Sequence, residues 1–198
     1  NFETRHNITA ALLFREQFLD GFNSSLGIFF RANEGRPFSL TFDGGGVFAD
    51  RSSGNDNALL YIPTGPNDPN LSPDSDADAV AALLNYLETS SVGEACDFEF
   101  GESIERNTCR NDWYYDMDIR FSQELPFLGS LTGLVEDRFE VFADFANFLN
   151  LLDSGANIRR TRSQFVDLVD GDVDDEGRYV IDGFNPDDDN NIAISSSA

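Results

Sequence analysis

The sequence contains no lysine, and all 13 of its basic residues are arginine, against 36 aspartate and glutamate residues. The formal net charge is therefore −23 at pH 7, and the pI lies near 4.1. No basic stripe is present to displace the counterions of a phosphate backbone, so we exclude nucleic acid as a partner. A carboxylate-rich surface without lysine is typical of proteins in saline surroundings, although a GC-rich genome produces the same bias.

Long hydrophobic runs are also missing. No apolar run approaches the roughly 18 residues of a transmembrane helix, and no signal-peptide pattern opens the chain. With 198 residues, 40% hydrophobic content and 19 phenylalanines, the chain has enough apolar material for one sizeable domain. Neither the opening residues NFETRH nor the closing residues NNIAISSSA are typical of the ends of a stable domain, so we expect a fragment of a longer protein.

The known catalytic motifs are absent as well. His6 has no cysteine or acidic partner at metal-ligand spacing, and the Gly44–Gly46 run lacks the lysine that engages phosphates in a P-loop. Neither G-x-S-x-G nor H-E-x-x-H occurs. Asp116 and Asp118 share one strand face, as a general acid and base would, but charge on the water-facing side of a strand explains them more simply. The sequence therefore does not predict an enzyme.

The segment from Trp113 to Leu152 alternates between apolar and polar residues in two arms of roughly ten residues. In the first arm Trp113, Tyr115, Met117, Ile119 and Phe121 oppose Tyr114, Asp116, Asp118, Arg120 and Ser122. In the second arm Phe139, Val141, Ala143 and Phe145 oppose Glu140, Asp144 and Ala146, with Phe142 interrupting the polar side. About 9 to 11 residues of tilted strand cross a bilayer, and the alternation suits strands that face lipid on one side and water on the other.

Two other interpretations of this segment are open at this point. A soluble antiparallel hairpin with one face on a core has the same period of two. In the second arm Phe139, Phe142, Ala143, Ala146 and Leu149 also have the spacing of one helix face. Four phenylalanines in ten residues favour the strand.

Two further strands are predicted near the start of the chain. The first runs from Arg5 to Phe18, with Leu13 intruding on its polar side, and the second from Leu26 to Phe42. The polar turn Leu19–Ser25 between them makes the pair a hairpin.

The residues 43–112 and 153–198 are predicted to be long loops, because they are rich in aspartate, asparagine, proline and serine. The first loop contains a short strand at Ala58–Pro63 and a helix at Pro73–Glu88, which Ser72 caps and whose apolar stripe we expect to pack on the loop itself. The second loop contains a small hairpin, formed by Gln164–Val169 and Arg178–Phe184.

The only two cysteines, Cys96 and Cys109, lie in the first of these loops. In an oxidising compartment they should pair and close the loop between them. The alternative is two free thiols in a cytosolic protein.

Two charged clusters occur in the second loop. Asp170, Asp172 and Asp174 match the first ligands of an EF-hand, but Asp175 replaces the required glycine and Ile181 the bidentate glutamate. A regular EF-hand is excluded, and loosely bound Ca²⁺ is the only cofactor left open. The arginines at 159, 160 and 162 either bind an anionic ligand or lipid headgroup or, as we favour, pair with neighbouring aspartates.

Several motifs occur in an order that resembles the last part of the barrel of TonB-dependent outer-membrane receptors, specifically the Oar-like group. The resemblance spans nearly the whole chain. It is carried by G-R-P-[FY]-S at Gly35, Arg36, Pro37, Phe38 and Ser39, by D-x-R-x-S-Q-E-[LI]-P at Asp118, Arg120, Ser122, Gln123, Glu124 and Pro126, and by D-x-x-N-x-x-N-L-L at Asp144, Asn147, Asn150, Leu151 and Leu152.

The resemblance implies an all-β fold, namely an antiparallel transmembrane β-barrel segment of about four long strands in two hairpins. On this expectation residues 1–198 form the C-terminal portion of a receptor barrel whose plug, N-terminal domain and closing strand are not among these residues. The long loops, one with a short helix, would be extracellular, and the turns Leu19–Ser25 and Pro126–Arg138 periplasmic. The resemblance also favours a strand for Phe139–Leu149.

The implied function is uptake of a bulky nutrient across the outer membrane of a bacterial cell. The expected partners are outer-membrane lipid, an unidentified nutrient and the TonB complex, which would act through the plug. The lipid-facing residues would be Met117, Ile119, Phe121, Val141 and Phe145, and the lumen-facing residues Asp116, Asp118, Arg120, Glu140 and Asp144. The alternative is a secreted acidic β-rich binding or adhesion domain, stabilised by Ca²⁺.

Overall fold

The computed structural model describes residues 5–43, 58–126, 133, 138–153, 158–185 and 193–196, and within them the chain is mostly β. The chain divides into two compact units. The sheet unit consists mainly of Arg5–Glu34 and Trp113–Arg159, and the core unit mainly of Gly35–Asp112 and Arg160–Ile194. Each unit is therefore assembled from separate parts of the sequence.

The sheet unit contains one four-stranded antiparallel sheet of order β1-β2-β7-β8. Its strands are β1 (Asn7–Leu19), β2 (Phe22–Asn33), β7 (Tyr114–Pro126) and β8 (Arg138–Phe145). A short helix, α3 (Phe148–Leu152), follows β8. The strand predicted for Arg5–Phe18 and the strand of the first arm are confirmed. The second arm is a strand as predicted up to Phe145, but the strand expected to continue to Leu149 is wrong there, because a helix begins at Phe148.

The turn between β1 and β2 is shorter than the predicted Leu19–Ser25. Only Asp20 and Gly21 separate the strands, and Gly21 has φ 78°, a conformation that glycine adopts without steric cost. An aspartate-glycine pair is a favoured two-residue hairpin connection. The other predicted turn, Pro126–Arg138, lies mostly outside the described residues.

The prediction of one strand from Leu26 to Phe42 is wrong, because β2 ends at Asn33 and β3 (Pro37–Asp43) begins in the core unit. A Cβ atom at Gly35 would lie 2.3 Å from the backbone oxygen of Asn111, so only glycine fits there. The buried Asn111 donates from its side chain to the Arg36 carbonyl at 2.7 Å and accepts from the Arg162 backbone N–H at 2.7 Å. One asparagine thus joins three segments of the core unit.

The core unit has a mixed sheet of order β11-β10-β3-β6, built with β6 (Cys109–Arg110), β10 (Phe165–Val173) and β11 (Tyr179–Phe184). The β10–β11 pair is antiparallel, which confirms the predicted hairpin in the second loop. Strands β3 and β10 are parallel, so the sheet departs from the predicted antiparallel arrangement. The short strands β4 (Tyr61–Ile62) and β5 (Glu102–Ser103) form a separate pair, and β9 (Ile158–Thr161) and β12 (Ala193–Ser196) complete the described strands.

Helix α1 (Ala77–Thr89) begins four residues later than the predicted Pro73, and α2 (Ser91–Glu94) follows it. Asp76, and not Ser72, caps α1 by accepting the backbone N–H groups of Asp78 and Ala79. The residues before the helix are bound instead to β11, since the backbone N–H groups of Ser72 and Asp76 donate to the carbonyls of Tyr179 and Ile181. The prediction of Ser72 as the cap is therefore wrong.

The core unit encloses its own hydrophobic core. The buried part of the helix stripe is Val80, Leu83 and Leu87, which confirms that the stripe packs within this part of the chain. The other large buried side chains are Phe38, Leu40 and Phe42 of β3, Leu60, Tyr61 and Ile62 around β4, Leu71, Val92 of α2, Ile104, and Val166, Leu168, Val169 and Ile181 of β10 and β11. The two stretches predicted as long loops thus contribute a packed core.

The predicted disulfide between Cys96 and Cys109 is confirmed. Cys109 is fully buried in β6, opposite Phe38 in the strand register, while Cys96 follows α2. The backbone N–H of Arg110 donates to the carbonyl of Ala95 at 2.8 Å and holds the same two segments together. The disulfide therefore ties the helical segment to β6, the edge strand of the sheet.

Candidate functional site

The four-stranded sheet sorts its side chains into two chemically different faces. Residues that are direct cross-strand partners lie on the same face, and successive residues alternate between faces. We call one side the apolar face. It carries Ile8, Ala10, Leu12 and Phe14 of β1, Leu26, Ile28, Phe30 and Ala32 of β2, Tyr115, Met117, Ile119 and Phe121 of β7, and Phe139, Val141, Ala143 and Phe145 of β8.

Much of the apolar face is exposed. The exposed fraction is 62% for Leu12, 48% for Phe14 and 51% for Val141, although side chains of this size are usually buried. A contiguous exposed apolar surface marks a contact with something outside the chain. All five residues predicted to face lipid lie on this face, and their contact with lipid stays a prediction.

The opposite side, the charged face, carries all five residues predicted to face a lumen. Arg120 is the direct partner of Asp144, with 3.5 Å between Nη1 and Oδ2. Arg31 lies 2.5 Å from the buried Asp116 carboxylate. The remaining predicted residues, Asp118 and Glu140, follow on β7 and β8. The charged face therefore carries ion pairs across strands, and its contact with a lumen stays a prediction.

Apolar residues also occur on the charged face, and the structure accounts for two of them, Leu13 and Phe142. Leu13 is the direct partner of Gly27, which has no side chain to compete for the space. Phe142 lies under the Arg120 guanidinium, with 4.7 Å from Cζ to the ring centroid. The Phe142 ring therefore has a favourable cation–π partner on the charged face.

Aromatic rings gather where β2 ends and β7 begins. The ring centroids of Trp113 and Tyr115 are 6.4 Å apart, as are those of Phe30 and Tyr115, and both pairs are stacked. His6 stacks on Trp113 at 6.3 Å and lies 3.1 Å from a Glu34 carboxylate oxygen. His6 is thus exposed beside aromatic and acidic neighbours, at the end of the sheet.

A polar row crosses the apolar face near the β1–β2 turn. Glu16 and Ser24 are direct partners in β1 and β2, and Ser24 is the partner of Gln123 in β7. The Ser24 hydroxyl donates to the Gln123 side chain. The apolar face therefore has aromatic rings at one end and, towards the other, a polar row across β1, β2 and β7, beside which Val141 and Phe139 of β8 continue the apolar face.

Asp68 is a buried carboxylate of the core unit that accepts four hydrogen bonds, and it was not singled out from the sequence. Its oxygens accept from the backbone N–H groups of Thr64 and Asn70 at 2.7 and 2.8 Å and from the hydroxyls of Thr64 and Tyr61 at 2.9 and 3.0 Å. Burial alone would raise the pKa of Asp68, but these four hydrogen bonds outweigh it and hold the pKa below its usual value. The turn-forming sequence PNDPN was the available signal for this role.

The aspartates considered as Ca²⁺ ligands are partly used within the fold. Asp174 accepts from the Arg178 backbone N–H at 2.7 Å and from the Arg178 guanidinium at 2.8 Å, and so closes the β10–β11 turn. Burial alone would raise the pKa of Asp174, but hydrogen bonds from Arg178 and Ser72 outweigh burial and hold the pKa below its usual value. Within the described ranges no group of three or more histidine, cysteine, aspartate or glutamate side chains is arranged to hold a metal ion.

The arginine cluster of the second loop is divided by the structure. Arg162 is buried, donates to the Ser91 hydroxyl at 2.9 Å and lies 5.5 Å from the centre of the Phe38 ring. It is therefore part of the core unit and not free to bind an anionic ligand. The side chains of Arg159 and Arg160, like Gly44–Gly46, lie outside the described residues.

The charged face also contains residues that the sequence did not identify as part of a site, notably Arg31, Gly27 and Phe29. Their positions follow once the cross-strand register is known, because Gly27 is the partner of both Leu13 and Arg120. The alternation alone assigned a face to each residue but could not pair the strands.

No protein-family model, curated protein or solved structure matches this chain. None of the described helices combines the length and the hydropathy needed to cross a membrane.

Proposed function

We propose that the chain is the C-terminal portion of the barrel of a TonB-dependent outer-membrane receptor that takes up a bulky nutrient. The observation that carries the proposal is the sheet unit, in which an exposed apolar face lies behind an ion-paired charged face. A barrel wall between lipid and a water-filled lumen requires both faces. The order of motifs that resemble the Oar-like group supports the same function.

The lengths of the strands support a position in a membrane-spanning barrel wall. Strands β1 and β7 have 13 residues each and β2 has 12, whereas about 9 to 11 residues of tilted strand cross a bilayer. Strands that pack on a soluble core are usually shorter, with a mode of about 5 to 6 residues. The extra residues would extend beyond the hydrocarbon region.

The ends of the apolar face also suit a membrane. Aromatic side chains such as Trp113 and Tyr115 are favoured at the boundary between lipid and water, since their rings are amphipathic. The polar row of Glu16, Ser24 and Gln123 lies toward the end with the short Asp20–Gly21 turn. In this proposal the aromatic end is extracellular and the short turn is periplasmic.

A barrel at equilibrium has no energy source of its own. The family resemblance implies that the TonB complex supplies the energy by acting on a plug outside these residues. The nutrient would be captured at the extracellular end, where the resemblance implies that the two long loops lie. The chain itself would act as wall and capture surface, without catalysis.

Uptake by cells with and without a working TonB complex tests the proposal. The protein should fractionate with the outer membrane, and its nutrient should reach the periplasm only when TonB is active. Equal accumulation in both strains would overturn the receptor assignment, and a passive or adhesive role would replace it.

The second candidate is a secreted acidic binding or adhesion domain. It is favoured by the core unit, which has a closed hydrophobic core and a disulfide of its own. Phase partition in detergent separates the two functions, because an exposed apolar face in contact with lipid takes the native protein into the detergent phase. A secreted domain would stay in the aqueous phase, and Ca²⁺ would raise its melting temperature.

A further inference from the structure

A depression of about 510 Å³ lies on the sheet unit, and Gly27 is among the residues that line it. Leu13 and Phe29 provide apolar walls on β1 and β2, and Asp118, Arg120 and Asp144 provide charges on β7 and β8. Small-molecule sites have volumes of roughly 300 to 1,000 Å³ and combine apolar walls with a few converging polar groups. The depression has the size and the chemistry of such a site.

The room in the depression comes from the missing side chain of Gly27. A Cβ atom there would meet only the Arg120 backbone oxygen, at 3.9 Å, so the space above the backbone is open. The backbone of Gly27 is not in the left-handed region, and larger residues can adopt its conformation. The depression can therefore be filled by substitution without straining the strand.

The charges around Gly27 favour a cation. Asp118 accepts the Asn147 backbone N–H at 2.9 Å and, within the residues described, forms no ion pair. Asp144 is paired with Arg120 only at 3.5 Å, and both side chains are more than half exposed. Exposed ion pairs of this kind contribute little, so a ligand cation can replace Arg120 beside Asp144. Arg120 would keep its contact with the Phe142 ring.

We propose that this depression binds a small amphipathic organic cation, with its ammonium or guanidinium group between Asp118 and Asp144 and its apolar part on Leu13, Gly27 and Phe29. Neither a membrane nor a soluble setting changes this inference, because the charged face is in water in both. Its failure is thus distinguishable from failure of the receptor assignment, which detergent partition and TonB-dependent uptake test separately.

The experiment is a titration of the full chain, in detergent or buffer as its partition dictates, with phenethylammonium and with phenethyl alcohol and phenylacetate as neutral and anionic probes. Only the ammonium should bind measurably, and chemical shifts of residues around Gly27 should report it. Equal binding of the alcohol and the ammonium would overturn the proposal.

Matched variants locate the site. Asp118→Asn keeps an acceptor for the Asn147 N–H but removes the charge, and it should weaken phenethylammonium binding by about tenfold, as expected for one hydrogen-bonded charge. Gly27→Leu should abolish binding, and Gly27→Ala should weaken it less, which keeps the test valid if the leucine variant misfolds. Arg120→Gln should strengthen binding several-fold, since it frees Asp144.

Glu140→Gln is the control, because Glu140 is a carboxylate of the same face that does not line the depression. The Glu140→Gln variant should bind phenethylammonium as tightly as the parent chain does. If Glu140→Gln weakens binding as much as Asp118→Asn does, or if Gly27→Leu binds normally, the cation is attracted by the general negative field and the proposed site is wrong.

Discussion

The core unit and the sheet unit use apolar side chains in opposite ways. In the core unit Phe38, Leu40 and Phe42 are fully buried, and both faces of β3 are covered. In the sheet unit every residue of β1 is exposed, including Leu12 and Phe14. Burial of each large apolar side chain contributes about 1.5 to 3 kcal/mol to folding. The side chains of β3 provide this stabilisation within the chain, and those of β1 do not.

The treatment of polar groups differs in the same way. In the core unit several buried polar side chains have partners inside the unit, as when Thr41 donates to Asp167 and the Ser39 hydroxyl accepts from the Asn107 backbone N–H at 2.8 Å. In the sheet unit the ion pairs lie on one open face. The comparison shows that the core unit buries its large apolar side chains within the unit, whereas the described residues leave much of the apolar face of the sheet unit exposed.

The largest effect is expected from Leu83→Ala in α1. Leu83 is fully buried, and truncation of a buried leucine costs about 2 to 5 kcal/mol because it leaves a cavity. Denaturant unfolding of the core unit, followed by far-UV circular dichroism, should show this loss. The control Leu13→Ala, at an exposed position of β1, should change the stability by less than about 0.5 kcal/mol. Equal losses would mean that the sheet unit also has a closed core.

An arginine at Ile119 should cost nearly as much, provided that the apolar face contacts lipid. Near the middle of a bilayer, arginine on a lipid-facing strand position costs about 2 to 4 kcal/mol. The neighbouring Asp118→Arg, on the charged face, should cost much less. Folding titrations of the complete protein in lipid vesicles measure both values, and equal costs on the two faces would contradict the membrane placement.

Loss of the Cys96–Cys109 disulfide should destabilise the core unit by about 3 kcal/mol, because the crosslink restricts the unfolded loop between residues 13 positions apart. Cys96→Ser with Cys109→Ser should lower the unfolding midpoint seen by circular dichroism. The fluorescence of Trp113, the only tryptophan, reports on the sheet unit and provides an internal reference. An unchanged midpoint in the double variant would show that the disulfide does not restrict the unfolded chain.

The smallest effect concerns Asp68 and depends on pH. Since the folded-state pKa of Asp68 lies below its unfolded value of about 3.9, its stabilising contribution is present above about pH 4 and is lost as the pH falls through the folded pKa. Asp68→Asn should cost about 1 to 3 kcal/mol at neutral pH, because a buried hydrogen-bond network is weakened. The parent chain should lose more stability than this variant between neutral pH and about pH 3 in urea titrations, and parallel losses would exclude Asp68 as a contributor.

Local periodicity was sufficient for several features. Alternation in β7 and β8 assigned Met117, Ile119 and Val141 to one face and Asp118 and Asp144 to the other, and the structure has the same division. The apolar stripe predicted helix α1, and the two cysteines in one loop predicted the disulfide, in the same way. These features depend on the period of a strand or helix and on residues close in the chain.

Other features could not be read from the sequence, because they depend on contacts between distant segments. The interruption at Gly35 requires the approach of Asn111, and the parallel pairing of β3 with β10 brings together residues as far apart as Thr41 and Asp167, 126 positions away. The register of the first hairpin shifts at a bulge between Glu16 and Leu19, so counting from the Asp20–Gly21 turn misaligns β1 by one residue. The sequence by itself determined which side chains share a face, since that follows from backbone geometry. Only the tertiary structure decided which strands are neighbours, since that depends on the free energy of packing between segments that the sequence keeps far apart.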